Sequence, residues 1–242
     1  MTGQPLLQVR DLVVQYDGLR ALDGVSFDVR RGEFLGLIGP NGAGKSTAFG
    51  AIAGTVRPTA GTITFDGRPI QGLAGHRIAK LGISRTFQHV RLFTSLTALE
   101  NVTVAAATRH RSRRTARLRA QQLLEHVGLA HLATSPVAAL SLGHQKLVAI
   151  ARALANEPCL LMLDEMMSGI ADHEWSHILS VLTDLRDTGL TLIVVEHIME
   201  IIDRLTDRVI VFSDGRILAE GNSLDVQAQP AVRATYLGEP IA

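Results

Sequence analysis

The stretch that decides the fold is Gly39-Pro40-Asn41-Gly42-Ala43-Gly44-Lys45-Ser46-Thr47, which fits the P-loop pattern in full. Its glycines let the backbone curl so that successive N–H groups point at phosphate oxygens. Lys45 adds a positive charge near the β- and γ-phosphates, and the Ser46 hydroxyl can ligate Mg²⁺. Because the stretch follows a buried strand and opens a helix, which offers its positive end to the same anion, we prefer a phosphate site to an incidental glycine-rich turn.

Strands and helices alternate on both sides of this loop. Apolar and polar alternation, or short apolar runs, predict strands, and helical spacing predicts helices. Strands are expected at 7–16, 25–29, 34–38, 61–66, 159–164, 191–195 and 209–212, and helices at 45–53 and 172–186. Between about 94 and 155 the composition changes to Ala, Leu, Arg and Gln at helical spacing, which predicts a mainly helical insert. Buried strands alternating with helices predict an α/β fold with a parallel sheet covered on both faces.

Three further residues lie at or just beyond the ends of predicted buried strands. Asp164 and Glu165 end the apolar run 160–163, at the edge where open α/β sheets bind ligands. Asp164 is placed to hold Mg²⁺ through water, and Glu165 to activate the attacking water as general base. His197 follows the strand 191–195, where an imidazole can donate to a γ-phosphate oxygen. Acids that cap a strand and lone histidines at strand ends are common, so these assignments depend on the P-loop.

Composition excludes several classes of protein. The chain has 242 residues and a net charge of +1, which gives no long-range field for bulk nucleic-acid binding. Neither a signal peptide nor an apolar run of about 18 residues is visible, so we expect a cytoplasmic protein that does not cross a bilayer by itself. The single Cys159 lies in an apolar run and is expected to be a small buried thiol. The basic run 109–119 is expected to be a solvated helix face or loop, with binding to an anionic surface as the alternative.

A second motif resembles a known family. The segment Leu140-Ser141-Leu142-Gly143-His144-Gln145, followed by a helical stretch, is similar to the signature motif of ABC-type ATPases, usually written LSGGQ. Ser141 stands where a helix starts and can cap it. The resemblance implies a P-loop NTPase of the ABC nucleotide-binding type, with a RecA-like mixed sheet core, an N-terminal antiparallel β subdomain and a helical subdomain. It implies an ATPase domain over 7–238, with the helical subdomain at about 94–155.

The same resemblance implies roles for single residues. ATP and Mg²⁺ are the expected cofactors, and two subunits are expected to sandwich two nucleotides, with Ser141, Gly143 and His144 facing the γ-phosphate held by the opposite subunit. Tyr16 is similar to the aromatic residue that stacks on adenine, with an ordinary core tyrosine as the alternative. Gln88 resembles the glutamine that ligates Mg²⁺ and senses the transmembrane partner, with a solvated loop glutamine as the alternative. The implied sets are Lys45, Gln88, Glu165 and His197 for catalysis, and Ser46, Gln88 and Asp164 for the metal.

A narrower resemblance covers three segments. Residues 85–93 (RTFQHVRLF), 100–102 and 232–238 are similar to the ATPases of bacterial branched-chain amino-acid importers, a group that also carries other amino acids, urea and short amides. It implies an ATP-hydrolysing subunit at the inner face of the cell membrane, bound to permease subunits and served indirectly by a substrate-binding protein. The second ATPase is either another copy or a related chain, and no nucleic acid is expected.

Two rival classes of protein fit the sequence less well. An ABC-type ATPase acting on nucleic acid or ribosomes tends to fuse two cassettes or to carry a long coiled coil, and this chain has neither. A P-loop kinase or GTPase would leave 140–145 unexplained, and no Asn-Lys-x-Asp segment for guanine is present.

The chain departs from the family pattern at three places. His144 stands where Gln or Gly-Gln is usual, and Met166-Met167 stands where proline follows the acids. Ala171 precedes Asp172, so that the acid is displaced by one residue. None of these changes removes a phosphate, metal or general-base group, so hydrolysis is expected.

Overall fold

The computed structural model describes residues 4–86 and 91–237, which form two compact units. Among the described residues, unit 1 comprises 4–81 and 191–237, and unit 2 comprises 82–86 and 91–190. Within the described ranges no helix has the length and apolar character needed to span a bilayer.

The regular elements alternate along the chain. The strands are β1 (Leu7–Tyr16), β2 (Leu19–Val29), β3 (Phe34–Ile38), β4 (Ala60–Phe65), β5 (Arg68–Pro69), β6 (Ile83–Arg85), β7 (Leu160–Asp164), β8 (Thr191–Val195), β9 (Arg208–Ser213) and β10 (Arg216–Gly221). The α-helices are α1 (Lys45–Ile52), α2 (Gly75–Leu81), α3 (Ala98–Ala106), α4 (Arg113–His126), α5 (Leu142–Leu154), α6 (Asp172–Asp187), α7 (Met199–Leu205), α8 (Ser223–Gln227) and α9 (Pro230–Leu237). Single 3₁₀ turns lie at Ala130–Leu132 and Val137–Ala139.

An antiparallel sheet occupies the N-terminal part of unit 1, in the order β2-β1-β4-β5. Leu7 of β1 lies opposite both Val29 of β2 and Phe65 of β4, and all three side chains are buried. The prediction of 7–16 is confirmed. Strand β2 begins at Leu19, six residues before the predicted 25–29, because pairing with β1 draws the more polar half of the segment into the sheet.

Strands β3, β8, β9 and β10 form the second set of paired strands in unit 1. Strand β3 pairs in parallel with β8 on one side and β9 on the other, and β9 pairs antiparallel with β10. Every residue of β3 and β8 is buried, which explains why both sequences read as unbroken apolar runs. The predicted strands 34–38 and 191–195 are confirmed, 61–66 and the helix 45–53 are confirmed to within one residue, and 209–212 lies inside β9.

Unit 2 contains the parallel pair β6 and β7 together with α3 to α6. Thr97 and Glu100 form a reciprocal capping box at the start of α3, and Ser112 and Ser141 cap α4 and α5. The helical composition predicted between 94 and 155 is confirmed, as is the helix 172–186, which α6 exceeds by one residue. The treatment of 94–155 as a subdomain stays a prediction.

Two surface features settle expectations about single segments. Cys159 is exposed, so the expected buried thiol is wrong: the residue precedes β7, where its N–H donates to Gly82 O at the outer end of the strand pair. The basic run 109–119 forms the approach to α4 and its first turns, and most of its side chains are exposed while Ala116 faces the core. The run is thus a largely exposed helix face, and the alternative of binding to an anionic surface is not tested by this exposure.

Candidate functional site

The P-loop connects β3 to α1 through a backbone that only glycine tolerates at two positions. Gly39 and Gly44 have φ values of 145° and 104°. A Cβ atom at Gly39 would stand 2.3 Å from the Phe212 carbonyl oxygen, and one at Gly44 would stand 2.7 Å from the Ala21 carbonyl oxygen. Both distances are far below van der Waals contact, so the loop requires glycine for its conformation and for its close approach to neighbouring backbone.

Lys45 begins α1 and its side chain turns back over the loop. The residue is 6% exposed, and its ammonium donates to Gly39 O at 2.6 Å and Pro40 O at 2.9 Å. Ser46 is exposed and Thr47 is half-buried. A cation is thus held beside the N-terminal end of α1, where backbone N–H groups also favour an anion.

Two other expected nucleotide residues lie in unit 1. Tyr16 ends β1 and is 48% exposed, so the alternative of a core tyrosine is wrong, and the ring can offer a face to a planar ligand. His197 is exposed, two residues beyond the end of β8. Because β8 runs parallel to β3, with Val195 opposite Leu37, His197 and the P-loop leave the sheet at the same edge.

In unit 2, Asp164 is buried beside an arginine that the sequence reading did not single out. Asp164 is 5% exposed, its N–H donates to Thr86 Oγ1 at 3.4 Å, and its Oδ2 lies 3.5 Å from Arg85 Nη2. Burial lowers the pKa of Arg85 from its ordinary value, and the Asp164 carboxylate opposes that shift. The only sequence signal was positional, since Arg85 ends β6, the parallel neighbour of β7.

Glu165 follows β7 directly and has a φ of 48°, in the left-handed region. Non-glycine residues there cost of order 1–3 kcal/mol and are concentrated at functional sites. Met166 and Met167, which replace the usual proline, are 1% and 2% exposed and therefore pack in the core of unit 2. The turn is tied to α5, because the buried Lys146 ammonium donates to Ser168 O. A lysine inside an otherwise apolar helical stretch was the available signal for this contact.

The signature segment opens α5 as expected. The Ser141 hydroxyl oxygen accepts the His144 N–H at 3.2 Å, which confirms the predicted cap, and Ser141 itself is exposed. Gly143 is buried and His144 is half-buried. The Ser141 hydroxyl also donates to Glu174 Oε1 at 2.8 Å, a contact with α6 that the sequence did not predict.

A family model for ABC transporters matches residues 22–168, the part of the chain that holds the P-loop, the signature segment and the two acids. The chain belongs to the ABC transporter family. The ATP-binding protein LivG of Salmonella typhimurium, whose name describes high-affinity branched-chain amino-acid transport, is 37% identical over 98% of this chain and 99% of its own length. This ABC protein is therefore an ATP-binding ATPase subunit.

Solved cassettes share its architecture. The ADP conformation of MJ1267, an ATP-binding cassette of an ABC transporter, aligns with a TM-score of 0.89 at 30% identity, covering 98% of this chain and all of that one. MJ0796, captured as a dimer bound to ADP and Pi after hydrolysis, aligns with a TM-score of 0.81 at 30% identity, covering 90% of this chain and 98% of that one. These likenesses confirm the predicted P-loop ABC fold.

Two expected features of this ABC ATPase fall outside the described portion. Gln88 lies between the described ranges, so its assigned contacts with Mg²⁺ and with a transmembrane partner stay predictions. Asp172 is the first residue of α6, but its side chain is not among those described, and the displaced acid near Ala171 stays open as well.

Proposed function

We propose that this ABC ATPase energises the uptake of branched-chain amino acids or related small solutes, as the ATP-hydrolysing subunit of an importer. The observation that carries the proposal is the 37% identity to LivG over almost the whole length of both chains. The rival role on nucleic acid or ribosomes finds no support in these relatives, and the net charge of +1 also gives it none.

The residues of unit 1 are proposed to hold the nucleotide. Backbone N–H groups of 39–47 and the Lys45 ammonium bind the β- and γ-phosphates, as the buried lysine beside the N-terminal end of α1 supports. The exposed Tyr16 ring stacks on adenine, and His197 donates to a γ-phosphate oxygen.

The metal and the attacking water are proposed to depend on three oxygen-bearing side chains and one base. Hydroxyl, amide and carboxylate oxygens are the ligands that Mg²⁺ prefers, and Ser46, Gln88 and Asp164 supply one of each. Bound there, Mg²⁺ would neutralise developing charge on the phosphates. Glu165, at the end of the buried strand β7, orients the water and accepts its proton.

The assembly is proposed from the relatives' names and the family. The cassette, proposed to span 7–238 with a helical subdomain at about 94–155, pairs with a second ABC ATPase that is either another copy or a related chain. Ser141, Gly143 and His144 of each subunit face the γ-phosphate bound by the other. Permease subunits dock near residues 88–93 at the inner face of the membrane, and a substrate-binding protein delivers the solute to them.

Replacement of Glu165 by Gln tests the proposal. The amide keeps the shape of the side chain and removes the base, so ATP binding should persist while ATP turnover falls by roughly 10²–10⁴. Uptake of labelled leucine by cells that carry only this variant should fall with it. Glu125→Gln, the same change at an exposed position of α4, is the matched control and should leave uptake unaltered. Normal leucine uptake in the Glu165→Gln strain would contradict the proposal.

A further inference from the structure

The carboxylate of Glu174 lies on the first turn of the signature helix. Glu174 belongs to α6 and is half-buried, and its Oε1 accepts a hydrogen bond from the Ser141 hydroxyl, with 2.8 Å between the two oxygens. The same carboxylate lies against Gly143, where a Cβ atom would stand 2.6 Å from Oε1 and 2.9 Å from Oε2. Glycine at this position therefore lets an anion approach the backbone of α5, and the anion found there is part of the same chain.

This contact uses the only hydrogen-bond donor of the Ser141 hydroxyl. A serine hydroxyl can donate one hydrogen bond, and here it donates that bond to Glu174 Oε1. The hydroxyl oxygen meanwhile accepts the His144 N–H, as a helix cap does. A phosphate oxygen that needs a hydrogen bond from Ser141 must therefore displace the carboxylate.

Charge prevents the Glu174 carboxylate and a phosphate group from occupying the first turn of α5 at the same time. The N-terminal turn of a helix favours an anion, and hydrogen bonds to ionised acceptors are about twice as strong as neutral ones. The carboxylate of Glu174 is thus stabilised where it lies. A second anion on the same turn would meet like-charge repulsion at short range, and it would also lack the hydrogen bond that Ser141 donates to Glu174.

The surroundings allow Glu174 to leave. A cavity of about 260 Å³ adjoins the turn and is lined by Gly143, His144, Leu147, Glu174, His177 and Ile178. Because Glu174 is already partly exposed, rotation of its side chain can carry the carboxylate away from Ser141 without unfolding α6.

We propose that Glu174 occupies, in the separate subunit, the place that the partner's γ-phosphate takes when two ATP-loaded subunits close. This inference rests on the proposed function, in which the signature segment faces that phosphate. Glu174 then acts as a positioning residue that raises the ATP concentration needed for closure, since the carboxylate must be expelled before Ser141 can donate to the nucleotide.

The test is Glu174→Gln in the purified transporter, with its permeases and both ATPase subunits. Glutamine keeps the length and a carbonyl acceptor but removes the charge, so the ATP concentration for half-maximal hydrolysis should fall about tenfold, without loss of maximal rate. Asp184→Asn, an equivalent neutralisation at an exposed position of the same helix, should change neither value. An unchanged or raised half-saturating concentration in the Glu174→Gln complex would overturn the inference.

A second pair of variants checks that the effect passes through Ser141. In a Ser141→Ala background the hydroxyl is absent, so adding Glu174→Gln should shift the half-saturating concentration by less than about twofold, since residues that act through one contact are not additive. A full tenfold shift in that background would also overturn the inference. A wild-type complex that hydrolyses no ATP would instead overturn the proposed function on which it rests.

Discussion

Arg208 joins the start of β3, the strand that precedes the P-loop, to β2 and β9. Replacing Arg208 by Met should therefore destabilise unit 1 strongly. Its Nε donates to Glu33 Oε1 at 2.7 Å, and its Nη2 donates to Asp28 O at 2.6 Å. Glu33 immediately precedes β3 and is only 8% exposed. Burial lowers the pKa of Arg208, but Glu33 and then Glu220 outweigh burial and raise it above its ordinary value.

The magnitude follows from what the substitution leaves behind. Met fills much of the arginine volume, so the main cost is a buried Glu33 carboxylate without its cation, for which breaking a buried pair costs about 3–5 kcal/mol. The Arg208 side chain is still 17% exposed, which favours the lower end, about 3 kcal/mol. At about 2–4 °C per kcal/mol for a chain of this size, the Tm should fall by about 6–12 °C.

Thermal unfolding followed by circular dichroism without nucleotide measures this change. Arg216→Met is the matched control, because its guanidinium is 71% exposed and pairs with Asp23 at the surface, so it should cost less than about 1 kcal/mol. The double variant Glu33→Gln/Arg208→Met removes the orphaned charge and should melt above Arg208→Met alone. If Arg208→Met lowers the Tm no more than Arg216→Met does, the reasoning about the buried pair is refuted.

Two other changes probe the site and the helices. Lys45→Met removes the ammonium that donates to Gly39 O and Pro40 O. The ATP affinity, measured by titration with a fluorescent nucleotide, should fall about 10- to 100-fold, which corresponds to the free energy of a charged hydrogen bond. A loss of affinity below about threefold would contradict the assignment of Lys45 to the phosphates. Hydrogen bonds from the Thr97 N–H and, to a smaller extent, from the Thr97 hydroxyl lower the pKa of Glu100. The ionised carboxylate therefore stabilises the fold fully at pH values above its unfolded pKa of about 4.3. This stabilisation is lost as the pH falls through the lower pKa of the folded state. Glu100→Gln should therefore lower the Tm at pH 7 and have no effect well below pH 4, and an equal loss at both pH values would count against the capping box.

The parts of the fold that follow from local sequence were predictable. Strands β3, β7 and β8 are apolar at nearly every position because they are buried on both faces, and the P-loop carries its chemistry in nine consecutive residues. The first half of β2 was missed, since Leu19 and the residues after it become a strand only by pairing with β1. Propensity cannot report a pairing that depends on a distant segment.

The contacts that organise the candidate site could not be predicted from the sequence either. Arg85 and Asp164 are 79 residues apart, and Ser141 and Glu174 are 33 residues apart. No periodicity in either segment encodes such a meeting, because it depends on how strands and helices assemble. Motif chemistry identified Ser141 and Asp164, while their charged neighbours became visible only in three dimensions.

The left-handed backbone conformation at Glu165 lowers the stability of the fold, whereas the proposed reaction requires the carboxylate of this residue. Glycine would adopt that conformation without the steric penalty, which is of order 1–3 kcal/mol for a side chain with a Cβ atom. Selection for thermal robustness alone would tend to replace the acid, and under the role proposed for Glu165 such a replacement would remove the base that accepts the proton of the attacking water. An engineered, more heat-resistant version of this cassette is best sought elsewhere in the molecule.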